Sequence, residues 1–533
     1  MKHITTVLVL FWAIHSYGQV PNIGLSYTSD SVSAGYTLFS SDFDNDVYLI
    51  DNCGRIINYW SFNEQPGLTS YILENGNLLH AGKDSLYIRD WNNNPIWTYA
   101  AAANGVLQHH DIEPMPNGNI LCIVTETKTD LEQTASGKDP ALLSPLVKTD
   151  KILELEPIGT DSANITWEWH FWDHIIQEYD PTKLNYGVVA DHPELLDLNF
   201  DQGNTGDWTH VNGIDYNASL DQIIVSARQF SEIFIIDHST STIEAASHLG
   251  GNSGHGGDFL WRWGNPQVYQ QGLPSDQQLF GQHDPKWIDI GFVNDGKISV
   301  FNNGGDGTGT SSSIHLIEPE MNGADYVLTN NTFGPANYFY SWDGNQVSPV
   351  MHSDKKSGVQ GLSNGNFLIC ETIGGRFFEI HPDGNVVWLY NCPLGFGGVF
   401  NQYDLSANGN NQAFRATKYL PTHPGIALQT LSFGTIIEDQ NNVSDNCESN
   451  ADVSENSLES LLFVNPVVDG RIEFTDPINK GSIQLMDSFG KVLKTWECSV
   501  DNHYDVKDLS SGVYLLLLEI DGRSTTRRVS VIN

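Results

Sequence analysis

Cationic residues are scarce: 26 Lys and Arg stand against 65 Asp and Glu in 533 residues, a formal net charge of −39. A chain this acidic repels phosphate backbones, which argues against nucleic acid as a partner. Long apolar runs are lacking too. No stretch after the first residues approaches the length of a membrane-crossing helix, and no integral membrane span is expected. Cysteines are few: Cys53, Cys122, Cys370, Cys392, Cys447 and Cys498, with no Cys-x-x-Cys pair and hence no zinc-ligand spacing among them. An even number in an oxidising compartment permits disulfides, and Cys370 with Cys392 is the preferred pair. The sequence also has no His-Glu-x-x-His helix. The glycine-rich stretch 250–257 lacks the Gly-Lys-Ser/Thr ending of a phosphate loop and reads as a flexible turn. Asp42, Asp44 and Asp46 alternate like calcium ligands, but without the Gly and Glu such a loop needs they read as an exposed acidic strand.

What is abundant is turn chemistry and aromatic side chains. There are 49 Gly, many in Asn-Gly and Asp-Gly pairs, with 14 Trp, 20 Tyr and 24 Phe, as expected of short antiparallel strands joined by tight turns. Residues 1–18 combine Lys2 and His3 with an apolar run and a small-residue exit before Gln19, the pattern of a secretory signal peptide. Between 19 and 437 a phrase recurs. An Asn-Gly-Asn turn leads into an apolar strand at 75–79, 117–123 and 364–370, with looser copies at 220–225 and 295–301. Each is followed by a strand ending in an aromatic: Tyr59-Trp60, Trp97, Trp167 or Trp169, Trp261 or Trp263 and Trp388, with 338–342 as a sixth. Evenly spaced strands with a periodic aromatic predict a β-propeller rather than a β-sandwich; six blades fit the count, with five or seven as the alternatives. The longer segments 124–166, 170–207 and 264–282 exceed ordinary loop length and are expected to cap one face. Residues 438–456 are acidic and lack Lys and Arg, reading as a solvated linker. Beyond them, 457–533 alternate as short strands at 461–464, 471–474, 482–487, 491–496 and 512–519, predicting a small C-terminal β-sandwich.

Propellers place ligands where the inner strands converge, and histidines recur just upstream of those strands. They are His109-His110-Asp111, His210 followed by Asn212, His283-Asp284 and His352. Imidazoles brought together from distant turns can act as nucleophile, general acid–base or metal ligand; the plain alternative is that each satisfies a local turn.

The stretches 35–39, 48–52, 109–119, 207–212, 226–237, 256–266, 281–287, 301–304 and 374–388, in that order, resemble the arylsulfate sulfotransferase family, bacterial enzymes independent of a nucleotide sulfate donor. The resemblance implies a six-bladed propeller with its site in the central channel. It also implies sulfuryl transfer between phenols through a sulfated histidine, with neither cofactor nor metal. A phenolic sulfate donor and a phenol acceptor are then the small-molecule partners. A neutral histidine must attack, and a few local donors must hold the sulfuryl oxygens. His283 is favoured as nucleophile or main sulfuryl contact, and His210 with Asn212 is the next candidate. His110 is the acid–base partner, with Asp111 orienting a neighbour. Asn302 is a further site residue. Arg228, Arg376 and Arg415 are candidate oxyanion clamps, at least one of them expected to be a structural ion pair instead. The family pattern has an Arg soon after 301–304, whereas here 305–313 contain none. Lys355, Lys356 or His352 would have to replace it. Two rival functions are a non-catalytic binding propeller and a sulfatase-like hydrolase using the same histidines. Finally, Asn465-Pro466, 487–491, 508–514 and Arg527-Arg528 resemble the type A sorting domain of type IX secretion. That implies passage through the periplasm to the surface or medium of a Bacteroidetes-type bacterium, with the type IX machinery as partner.

Overall fold

The structure is a computed structural model that describes residues 22–200, 203, 206–305, 307–404 and 410–438. In the C-terminal part it describes 470–474, 481–486, 491–498, 503–510, 512–520 and 523–531. The expected signal peptide (1–18), the strand at 461–464 and all of the linker but residue 438 lie outside the described residues.

The fold is all-β, as the turn chemistry predicts. Before the C-terminal part, six antiparallel sheets of four or five strands follow one another. From its innermost strand outward, the first sheet is Ala413–Tyr419, Tyr36–Ser41, Asp46–Asp51 and Ile56–Ser61. The second is Pro66–Ile72, Leu78–Gly82, Leu86–Arg89 and Pro95–Tyr99. The third is Gln108–Pro114, Ile120–Thr129, Leu146–Ile158 and Ser162–His170. The fourth is Val211–Asn217, Gln222–Ala227, Glu232–Asp237 and Trp261–Trp263. The fifth is His283–Trp287, Ile298–Asn302, Ser313–Ile317 and Tyr340–Asp343. The sixth is Gly358–Gly361, Phe367–Glu371, Arg376–Ile380 and Val386–Asn391, with Gly24–Thr28 added at its outer edge. The innermost strand of each sheet packs against that of the next, and the sixth against the first. The two ends of this region are interlocked with it. Ala413–Tyr419 pairs with Tyr36–Ser41, and Gly24–Thr28 pairs with Val386–Asn391.

The periodic tryptophans explain how neighbouring sheets hold together. Trp60, Trp97, Trp169, Trp261, Trp342 and Trp388 each sit on the outermost or next-to-outermost strand of one sheet and are at most 1% exposed. Each indole N–H donates to a backbone carbonyl in the following sheet or in a turn between its strands: Trp60 to Asp90, Trp97 to Ser162 and Trp169 to Gly257. Trp261 donates to Gly334, Trp342 to Gly384, and Trp388 to Asn52 of the first sheet. A buried indole needs such a partner, and its large apolar area fills the gap between sheets. Six apolar clusters occupy the six sheet-to-sheet gaps. Trp342, on the strand Tyr340–Asp343, is the sixth member that the 338–342 segment was expected to supply.

Two expectations need correction. Segment 124–166 is not a capping loop: it is mainly the two long strands Ile120–Thr129 and Leu146–Ile158 with the following Ser162–His170, joined at the tip through a short helix, Asp130–Ala135. Its alternating Val, Ile and Leu extend the third sheet. Cys370 and Cys392 do not form a disulfide; both are free, buried thiols, as is Cys122, and Cys498 is free and half-buried. The Cys370 thiol donates to the carbonyl of Ala413 at 3.4 Å and the Cys392 thiol to that of Leu394 at 3.7 Å. Burial pushes Cys392 up to about 12, so it stays a thiol and behaves as a small apolar residue.

In the C-terminal part, Arg471–Glu473 pairs with His503–Asp505. A four-stranded sheet runs Val492–Glu497, Ser482–Met486, Gly512–Ile520, Arg523–Val531. Both contribute to one apolar cluster that includes Ile472, Phe474, Ile483, Tyr504 and Leu516. Among the described residues no helix is long and apolar enough to cross a membrane.

Candidate active site

The histidines stand where inner strands begin, and the backbone there is unusual. His110 (φ 59°), His210 (φ 49°) and Asp284 (φ 57°), next to His283, are all in the left-handed region that non-glycine residues rarely adopt. In each of these strands the register slips at that point, between Cys122 and Val124 on the partner of the third, and within 211–213 and 283–286 in the fourth and fifth. A bulge with a left-handed residue turns a side chain out of the normal alternation. The same distortion repeated in three sheets aims three imidazoles at one place.

Hydrogen-bond partners settle which nitrogen of each ring carries the proton. His109 Nε2 lies 2.8 Å from Asp150 Oδ1 and His109 Nδ1 lies 2.6 Å from His110 Nδ1. The carboxylate takes the His109 proton, so His109 Nδ1 accepts from His110 Nδ1–H and leaves the His110 Nε2 lone pair free. His210 Nδ1 donates to Asp207 Oδ2 at 2.5 Å, again leaving Nε2 as the lone-pair nitrogen. His283 Nδ1 donates to Asn303 Oδ1 at 2.7 Å, and its Nε2 accepts the Lys356 backbone N–H at 3.0 Å. The His110 and His210 rings are 4.9 Å apart, centroid to centroid. His283 is 1% exposed. Burial lowers it to about 3, with the positive charges of Arg228 and Arg415 adding to the effect and the Asn303 bond opposing it. Burial, then His109, His210 and His283, also hold His110 well below the usual histidine range.

The three arginines divide sharply. Arg376 is bound to Glu371 and donates to the Pro349 carbonyl, and Arg415 is buried between Asp284 and Asp111. Both are structural ion pairs. Arg228, half-buried, has no carboxylate partner among the described residues; it donates only to the Asp354 carbonyl, at 3.4 Å. Its charge acts on His283. Asn212 is fully buried, donates to the Gln282 carbonyl at 2.8 Å, and keeps its side-chain oxygen without a partner. Asn302 is spent on scaffolding, accepting from Phe280 N–H and donating to the Gln278 and Gly305 carbonyls. Asp111 is likewise turned away from the imidazoles and accepts from Tyr71, Ile112 and Arg415. His352 and Lys355 are exposed, and the His352 backbone N–H donates to Glu371. Lys356 is tied to Asp42, so this aspartate serves the ion pair.

Several residues that shape this site were not singled out from the sequence. Asp207 and Asp150 orient His210 and His109, Asn303 orients His283, and the Lys356 backbone caps it. Asn303 also donates to the Ser353 and Lys356 carbonyls at 2.8 and 3.0 Å, fixing that segment over His283. A signal for two of them was present. Asp207 stands three residues before His210, and Asn303 sits beside Asn302 in the same motif.

Residues 462–532 match the secretion system C-terminal sorting domain, so the chain carries an export signal of the type IX class. No curated protein matches the sequence. Among solved structures, one similar chain is a protein of unknown function from Bacteroides caccae, with 13% identity, a TM-score of 0.38, and coverage of 69% of this chain and 97% of that one. Another is a catalytically inactive virginiamycin B lyase from Staphylococcus aureus with quinupristin, at 9% identity, TM-score 0.33, and coverage of 69% and 89%. A third is the β-propeller domain of Cps50 (Swd1) from Myceliophteria thermophila, at 8% identity, TM-score 0.36, and coverage of 71% and 90%. The family model for arylsulfotransferase (ASST) matches residues 24–327. That span holds His110, His210, Asn212, Arg228, His283 and Asn303, and the chain belongs to the arylsulfotransferase family.

Proposed function

We propose that this protein is an exported aryl sulfotransferase that moves a sulfuryl group from a phenolic sulfate ester to a phenol through a sulfohistidine on His283. The observation that carries the reading is the meeting of neutral imidazoles with the unpaired Arg228 inside an acidic protein. We read residues 19–437 as a six-bladed propeller, supported by the cyclic packing of six inner strands. Residues 1–18 are its signal peptide, 438–456 its linker and 457–533 a small sandwich for sorting.

In the first half-reaction, His283 Nε2 attacks sulfur, forming an S–N bond as the S–O bond to the phenol breaks. Its tautomer is already correct, because Asn303 holds the proton on Nδ1. A ring titrating near 3 stays neutral at any physiological pH, so no deprotonation precedes attack. The single Nε2 lone pair is engaged by the Lys356 N–H, which must release it and turn to a sulfuryl oxygen. Arg228 holds the other oxygens, a task for a planar donor fork. His210 Nε2 takes up a proton from solvent, with Asp207 supporting the ring through Nδ1, and passes it to the departing phenolate. In the second half-reaction, the acceptor phenol returns a proton to His210 Nε2, and its oxygen attacks sulfur as the S–N bond breaks. His110 packs against the His210 ring and positions it.

The deciding experiment mixes the mature protein with 4-nitrophenyl sulfate, with and without phenol, and follows nitrophenol release and intact mass. Phenol-dependent turnover with a sulfuryl adduct is expected. Turnover indifferent to phenol would mean a hydrolase, and a folded but silent protein would mean a binding propeller.

Two further outcomes separate the roles. Arg228→Gln is expected to lower kcat/KM by about 10²–10³, the usual loss for one oxyanion donor, while Arg376→Gln alters stability without a comparable kinetic loss. Asp207→Ala is expected to slow transfer from phenyl sulfate far more than from 4-nitrophenyl sulfate, because a good leaving group needs little proton donation. Equal losses on both donors would remove His210 from the acid role.

A further inference from the structure

The outer rim of the third and fourth sheets holds a second cluster of chemically capable side chains, separate from the inner strands. His174 follows the outermost strand of the third sheet, and His248 and Asp258 both lie on the connection that leads from Glu232–Asp237 to the outermost strand of the fourth. Their candidate donor atoms all lie within 4.8 Å of one another. We propose that His174, His248 and Asp258 form a zinc site that ties these two sheet edges together.

Donor accounting carries the inference. His174 Nε2 is 2.8 Å from the Ala245 carbonyl, which can only accept, so Nε2 bears the ring proton. His174 Nδ1 is 2.8 Å from Asp258 Oδ1, and His248 Nδ1 approaches that same oxygen at 2.8 Å. His174 Nδ1 and His248 Nδ1 thus converge on one carboxylate oxygen, inside a site where the His174 side chain is 0% exposed. Three donor atoms gathered in this way form a ligand set for a cation. The surroundings suit a ligand imidazole. The outer N–H is held by a backbone carbonyl, the usual orienting partner, and the ring stacks on Trp169 at 5.2 Å and 5°.

Two imidazole nitrogens and one carboxylate oxygen favour zinc over calcium or magnesium, which prefer all-oxygen shells. Zinc distances near 2.0–2.2 Å place tetrahedral donors about 3.3 Å apart. The present 2.8 Å contacts need to open by about half an ångström on binding. His248 can supply the movement, being 59% exposed and next to the glycine-rich turn around Gly250, Gly251, Gly254 and Gly256, all with positive φ. Solvent reaches the site from the His248 side and fills the fourth position. The metal is a structural staple and takes no part in sulfuryl transfer.

The test uses the full mature chain without a metal-binding tag, stripped with a chelator and titrated with zinc against a competing chromophoric chelator. One tight equivalent is expected, with a rise in Tm on zinc addition, since a ligand of the folded state stabilises it. His248→Ala and Asp258→Asn are each expected to weaken binding by at least about 100-fold and to abolish the Tm rise. The exposed His248 side chain makes its variant safe for folding, which an unchanged zinc-free melting curve verifies. Absence of a stoichiometric tight site in the wild type, or equal zinc affinity in both variants, would overturn the proposal.

Discussion

Alanine in place of His283 is expected to lower transfer by at least about 10⁴-fold and to abolish the sulfuryl adduct, because the nucleophile of a covalent route has no substitute. The argument rests on the ring's environment. Asn303 fixes the proton on Nδ1, burial keeps the ring neutral, and Arg228 stands nearby as the anion partner. Removing the imidazole leaves the Lys356 N–H and the Asn303 side-chain oxygen without it, yet Asn303 still holds the Ser353 and Lys356 carbonyls. The fold should therefore survive. His210→Ala separates the two imidazoles. It is expected to slow turnover while still allowing an adduct from 4-nitrophenyl sulfate, whereas His283→Ala allows none. An adduct that persists in His283→Ala and vanishes in His210→Ala would transfer the nucleophilic role to His210.

The second large effect is on stability. Glu232→Gln is expected to destabilise the protein by about 3–5 kcal/mol, since it leaves the Arg262 charge buried without its counter-ion. Both side chains are 0% exposed, and Glu232 is bound through two nitrogens of Arg262. The guanidinium also donates to the Leu195 carbonyl at 2.8 Å and lies 4.4 Å from the Tyr269 ring centroid. Denaturant unfolding of wild type and Glu232→Gln checks the loss. The double variant Glu232→Leu with Arg262→Met is expected to recover most of the loss, because a neutral pair carries no desolvation cost. A single variant as stable as wild type would show that Arg262 is satisfied by carbonyls alone.

How much of this was legible in the chain depends on the range of the interaction concerned. Alternating apolar strands, Asn-Gly turns and recurring Trp residues are local patterns, and the all-β fold and the sheet-bridging indoles follow from them; the family was legible through the resemblance of its own contiguous motifs. The sorting domain was readable for the same reason, its motifs being contiguous. The positions of His110, His210 and His283 were also visible, since each sits at a fixed place relative to its own strand. What each ring touches was not. Asn302 and Asn303 are neighbours with opposite fates, because strand alternation and the bulge at His283 send one into the backbone scaffold and the other to the imidazole. Arg228, Arg376 and Arg415 look alike as residues, yet among the described residues acidic side chains reach only the last two. Cys370 and Cys392 share one apolar core and are both free thiols. The sequence by itself determined the strands, their aromatic staples and the family. The tertiary structure alone decided charges, tautomers and partners, because those depend on which atoms from distant sheets come within hydrogen-bonding distance once the inner strands converge.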